Sequence, residues 1–104
     1  MSGQNWSIKI TSNGFEVDAY GQSGSALQCQ NGDVVSWNNQ TNDVHQPYQT
    51  DQNYSPTGPA LCDAVQPFQS STPGYIPDTD DTPATIYYYC QNHPNEHGTL
   101  NVVA

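Results

Sequence analysis

Apolar and polar residues alternate along this chain in short, punctuated runs. Trp6-Ser7-Ile8-Lys9-Ile10 places apolar side chains on one face and polar ones on the other, the period of a half-buried β-strand. Ser12-Asn13-Gly14 is a turn signal, and alternation resumes in Phe15-Glu16-Val17-Asp18-Ala19-Tyr20, so the two runs predict a hairpin. A Gly/Ser turn over 21–25 leads into Ala26-Leu27-Gln28-Cys29. Gln30-Asn31-Gly32-Asp33 then turns the chain into Val34-Val35-Ser36-Trp37-Asn38-Asn39. Near the end, Ala84 to Cys90 and Thr99 to Val103 are β-prone and predict a final hairpin. On its first arm Ile86 and Tyr88 share the parity of Cys90 and are expected inside, with Tyr87 and Tyr89 facing out. No segment sustains the i, i+3, i+4, i+7 pattern of an amphipathic helix.

Residues 46–84 are the least regular, broken by Pro47, Pro56, Pro59, Pro67, Pro73, Pro77 and Pro83. A structureless loop of that length is unusual in a compact domain, so one or two short strands or a helical turn are expected there, pinned by Cys62. Short strands separated by turn signals predict an all-β, antiparallel sandwich or barrel. At 104 residues the chain is read as one domain over 1–104.

Composition narrows the function. Ten acids against one base, Lys9, give a net charge of −9. Nucleic-acid binding needs clustered Lys and Arg, so it is excluded, and an anionic membrane surface is disfavoured on the same ground. The charge serves solubility, or it forms a negative face that steers a basic partner. No apolar run has the length of a membrane span and no leader is recognisable, so an export signal is expected to have been removed or never present. The cysteines are Cys29, Cys62 and Cys90. An odd count in an exported domain suggests one disulfide, Cys29 with Cys62, and one thiol kept for chemistry; the alternative is two buried thiols.

The thiol kept for chemistry is Cys90. It opens a loop, Cys90-Gln91-Asn92-His93-Pro94-Asn95-Glu96-His97, that carries a soft thiolate, two imidazoles and a carboxylate. With His45 upstream at a strand end, Cys90 and His93 can converge in a sandwich as a His₂Cys set, the trigonal set of mononuclear copper sites with a weak fourth ligand. Zinc suits the same donors.

Two stretches carry a family resemblance. Gly32-Asp33-Val34-Val35-Ser36-Trp37-Asn38-Asn39 before Val44-His45 resembles the segment that delivers the first His ligand of the cupredoxins. Tyr87-Tyr88-Tyr89-Cys90 leading to His93, with Gly98-Thr99-Leu100 after it, resembles their ligand loop. The resemblance covers both ends of the chain and leaves the middle unaligned. It implies a Greek-key β-sandwich holding one copper through His45, Cys90 and His93, an exported protein (periplasmic or extracellular), and a redox partner protein, for which a basic docking face is one option.

One departure bears on chemistry. Cupredoxins place Met, sometimes Gln, after the second His, yet Met1 is the only Met here. In the family's shortest loops that slot falls on Glu96; His97 competes for it, and an empty or water-filled position is the third option. The function implied is a one-electron carrier, with His93 as the electron port. A copper centre that binds a small molecule such as nitric oxide, and copper storage or delivery, are the alternatives. Gln46, and Asn38 or Asn39, are expected to support the ligands and to tie the two ligand loops together.

Overall fold

The computed structural model describes residues 3–17, 24–71, 74–90 and 93–104. Among these there is no helix. Eight strands form: β1 (Asn5–Thr11), β2 (Gly14–Val17), β3 (Ala26–Gln30), β4 (Val34–Asn39), β5 (Pro47–Thr50), β6 (Pro56–Ala60), β7 (Ala84–Cys90) and β8 (His93–Val103). The irregular middle thus supplies two short strands, as expected. Asp18, Ala19 and Tyr20, assigned to the second strand from sequence, lie outside the described residues.

The strands make a three-stranded sheet, ordered β2-β1-β4, and a five-stranded sheet, ordered β3-β8-β7-β5-β6. The inner faces of both meet in one core that includes Ile8, Trp37, Leu27, Tyr88 and Leu100. This is a β-sandwich, and two features of the expected architecture are corrected. The sheets do not close into a barrel, and they are mixed rather than antiparallel: β1 pairs with β4, and β3 with β8, in parallel. Parallel pairing follows from connectivity. The chain leaves the small sheet after β2, contributes β3 to the large one, and returns as β4, a crossover that a hairpin cannot make.

Parity along β7 is as the alternation requires. Ile86, Tyr88 and Cys90 are buried, while Tyr87 and Tyr89 are half-exposed on the outer face. Tyr88 is wedged edge-on between Phe15 and Trp37, with ring centroids 4.8 and 5.4 Å away. Such contacts add about 0.5–1.5 kcal/mol each beyond area burial. Its hydroxyl presses on Gly98 of β8, where a Cβ would lie 2.6 Å from that oxygen and 2.8 Å from the Ser25 carbonyl. Only glycine fits there. Trp6, on the apolar face of the first run, is half-buried at the opposite end, and its indole Nε1–H donates to Asp33 at 2.9 Å.

Asp33 clamps that end. Its carboxylate accepts from the backbone N–H of Gly3, Gln4 and Gln30 as well as from Trp6, joining the start of β1 to the end of β3. Burial opposes its ionisation, but these four donors together outweigh burial and hold its pKa below the usual carboxylate value.

The expected Cys29–Cys62 disulfide is absent: all three cysteines are free thiols. Register explains why. Cys29 is level with Val102, which faces Ala84 at the start of β7. Cys62 follows Leu61, whose N–H reaches Pro47, and Pro47 faces Cys90 at the end of β7. The length of β7, about 20 Å at roughly 3.3 Å per residue, separates the two levels. A disulfide tolerates a Cα separation of no more than about 7 Å. Burial pushes both thiols up to about 11.

Candidate metal centre

β4 ends at Asn39, and the loop beyond it is wound around that fully buried side chain. Asn39 Nδ2 donates to the carbonyls of Asp43, Val65 and Gln66 at 2.6, 3.1 and 3.3 Å. Its Oδ1 accepts the Thr41 N–H at 2.9 Å. The loop returns the chain to pair His45 with Val65 through reciprocal backbone hydrogen bonds. His45 is thereby carried inside, 2 % exposed. Gln46 Nε2 donates to the Cys62 carbonyl, and Asn38 Nδ2 to Ser70 Oγ. Among the described residues, Gln46, Asn38 and Asn39 brace the His45 loop against the 62–70 segment; residues 91–92, which open the loop after Cys90, lie outside the described residues.

The other donors come from the β7–β8 hairpin. Tyr89 faces His97, but Cys90 faces His93, so the ladder breaks between Tyr89 and Cys90. The irregularity turns His93 back toward the thiol. β8 begins at His93, well before Thr99, so much of the predicted loop is strand and its alternation sorts Glu96 from His97. Glu96 points in beside Gly14 of the β1–β2 turn, whose φ of +108° suits glycine. His97 points out and stacks on Tyr54 at 3.9 Å.

The structure brings His45, Cys90, His93 and Glu96 together, with one ligand atom of each within 4.8 Å of all the others. Cys90 Sγ lies 3.4 Å from His45 Nδ1 and 3.6 Å from His93 Nδ1. Glu96 Oε1 lies 3.2 Å from His45 Nδ1, and the two imidazoles stack at 4.4 Å. Donors held on one ion at about 2.0–2.3 Å sit about 3.3–3.7 Å apart in tetrahedral geometry, so the set fits a metal with little movement. Burial lowers the His45 pKa against the opposing pull of the Glu96 carboxylate, which favours the neutral imidazole that binds metals. Glu96 Oε1 is buried and takes no hydrogen bond among the described residues, an oxygen with a place for a cation in front of it.

Two nearby residues were not singled out in the sequence. Thr41 Oγ1 is 2.9 Å from His45 Nε2, and Asp43 Oδ2 is 3.8 Å from His93 Nε2. The signal was the Asn39-x-Thr41-x-Asp43 spacing, three residues that commonly bond nearby backbone. A cavity of about 220 Å³ lies against the site, lined by Thr11, Ser12, Thr41, Asp43, His45, His93 and Glu96.

No known family profile and no curated protein matches the chain. Solved structures do. A purple cupredoxin from Nitrosopumilus maritimus is similar with a TM-score of 0.71 and 20% identity, over 93% of this chain and 98% of that one. A methionine-to-glutamine mutant of amicyanin in its Cu(I) form is similar with a TM-score of 0.66 and 18% identity, over 94% and 81%. An oxidised methionine-to-leucine mutant of amicyanin gives 0.65 and 18%, over 93% and 80%. The chain has the cupredoxin fold.

Proposed function

From that fold and the four converging donors, we propose that this protein binds one copper ion through His45, Cys90, His93 and Glu96 and carries one electron at a time. The observation that carries the reading is the contact of Cys90 Sγ with Nδ1 of both histidines, 3.4 and 3.6 Å away. When bound, copper supplies a Cu(II)/Cu(I) couple. The protein's residues do the rest. Cys90 contributes a thiolate from a fully buried position in the core cluster that also contains Tyr88 and Trp37. His45 is held by a loop whose polar groups bond to one another. Glu96 supplies an anionic oxygen that favours the more highly charged oxidation state. Because every donor sits on a strand or a braced loop, one geometry serves both oxidation states and little has to move on transfer.

His93 is the port. Its side chain is 34% exposed where that of His45 is 2%, so the imidazole edge that reaches solvent belongs to His93. Asp43, largely exposed beside it, adds negative charge at the same place. A partner with a basic face suits that port and the net charge of −9. No helix among the described residues is long and apolar enough to cross a membrane. A periplasmic or extracellular location accompanies the copper reading and, without the disulfide, rests on it alone.

The cavity beside Glu96 favours a second reading, in which a small molecule reaches the metal from that side. Voltammetry of the copper-loaded protein separates the two. A carrier gives a reversible one-electron wave that millimolar azide or nitric oxide leaves in place; a displaced wave favours the ligand-binding centre.

A further inference from the structure

We infer that Thr41 is a positioning residue: its hydroxyl holds the proton of His45 on Nε2 and so keeps the lone pair of Nδ1 aimed at the metal position. The geometry stands without the copper reading, while its consequence for metal affinity rests on that reading.

Thr41 Oγ1 and His45 Nε2 are 2.9 Å apart, but a hydroxyl both gives and accepts, so the distance alone leaves the direction open. Asn39 settles it. One end of its amide faces three carbonyls, those of Asp43, Val65 and Gln66, and only an N–H donor serves three carbonyls. That end is Nδ2, and the other is therefore an oxygen, which accepts the Thr41 N–H at 2.9 Å. Thr41 Oγ1 lies 2.7 Å from the same oxygen and has a single proton. Two oxygens that close need a hydrogen between them and the amide oxygen has none, so the Thr41 proton points to Asn39, while the Asp43 N–H donates to the same hydroxyl at 3.2 Å. The hydroxyl therefore faces His45 with a lone pair, and Nε2 must carry the hydrogen.

The consequence falls on the opposite side of the ring. With its proton on Nε2, a neutral His45 presents a bare Nδ1 to Cys90 Sγ at 3.4 Å and to Glu96 Oε1 at 3.2 Å. An imidazole lone pair and a buried carboxylate oxygen repel each other at that distance unless a cation lies between them. Thr41 thus organises the site for a cation before one arrives. The Asn39 end of the relay is fully buried and His45 nearly so, with Thr41 half-buried between them. Partners of this kind usually change metal affinity about 10–100-fold.

The test uses the metal-free protein first. At pH 8, long-range ¹H–¹⁵N spectra should show His45 as the Nε2–H tautomer with a slowly exchanging proton. Thr41→Ser keeps the hydroxyl and should preserve that pattern. Thr41→Val keeps the shape without the hydroxyl, and should give a mixed or Nδ1–H tautomer with fast exchange. Titration with Cu(I) under a competing chelator should then show about 10–100-fold weaker binding for Thr41→Val and near-normal binding for Thr41→Ser. An Nδ1–H tautomer in the wild-type protein would overturn the inference even if the Val variant failed to fold. So would equal losses of affinity in the Ser and Val variants. If the wild-type protein takes up no copper while the tautomer is as described, the copper reading fails and the positioning of His45 by Thr41 stands.

Discussion

Glu96 and His97 are neighbours on β8 that look in opposite directions. The Glu96 carboxylate reaches inward to 3.2 Å from His45 Nδ1, while the His97 ring lies outside, flat against Tyr54 at 3.9 Å. The alternation of a strand makes the choice between them, since Gly98, Leu100 and Val102 continue the inward row that Glu96 begins.

Glu96→Gln should therefore raise the reduction potential, because it removes a negative charge that favours Cu(II) and keeps the shape of the side chain. The expected rise is at least about 59 mV, a tenfold change in the relative stability of the two oxidation states. Glu96→Met should move it in the same direction. His97→Ala should leave potential and spectrum near their starting values. Voltammetry of the three variants checks this, and a shift confined to His97→Ala would remove Glu96 from the site.

Asp33→Asn tests the clamp at the far end of the sandwich. An amide offers one accepting oxygen to four N–H donors, and its own NH₂ faces two of them. A loss of about 1–3 kcal/mol at pH 7 is expected. The native carboxyl titrates below its unfolded value of about 3.9, so its contribution is fully present above that pH and fades as pH falls through the folded value. Urea melts at pH 7, 5 and 3 should show the gap between the two proteins constant at first and narrowing in acid. A gap that widens in acid would contradict the assignment.

Gly98→Ala should destabilise by about 1–3 kcal/mol, since its Cβ meets the hydroxyl of the fully buried Tyr88 and the backbone carbonyl of Ser25 inside contact distance. Thermal melts of the metal-free protein give the measurement. An unchanged melting temperature would mean that β7 and β8 are not packed as described.

Much of this was legible in the sequence because alternation reports burial directly. The parity of Ile86, Tyr88 and Cys90 oriented β7, and the Cys90/His93 pair with a distant His45 indicated the donor set. What alternation cannot report is pairing direction, so the parallel β1–β4 and β3–β8 contacts were missed. Cysteine parity misled for a related reason: counting thiols says nothing about which end of the sandwich each one occupies. Thr41 and Asp43 went unremarked because polar loop residues usually serve turns, and only the fold shows that this turn backs a histidine.

A thiol assay of the denatured, unreduced protein should accordingly find three reactive cysteines. One thiol would restore the Cys29–Cys62 bridge and contradict the strand register.

The central claim is that the Cys90 thiolate and the imidazoles of His45 and His93 share one copper ion. The most direct test is the visible and EPR spectrum of the Cu(II)-loaded protein beside that of Cys90→Ser. The account predicts one copper per chain and intense visible thiolate-to-copper bands that vanish in the Ser variant. Bands that survive the loss of Cys90, or a loaded wild-type protein without them, would contradict it.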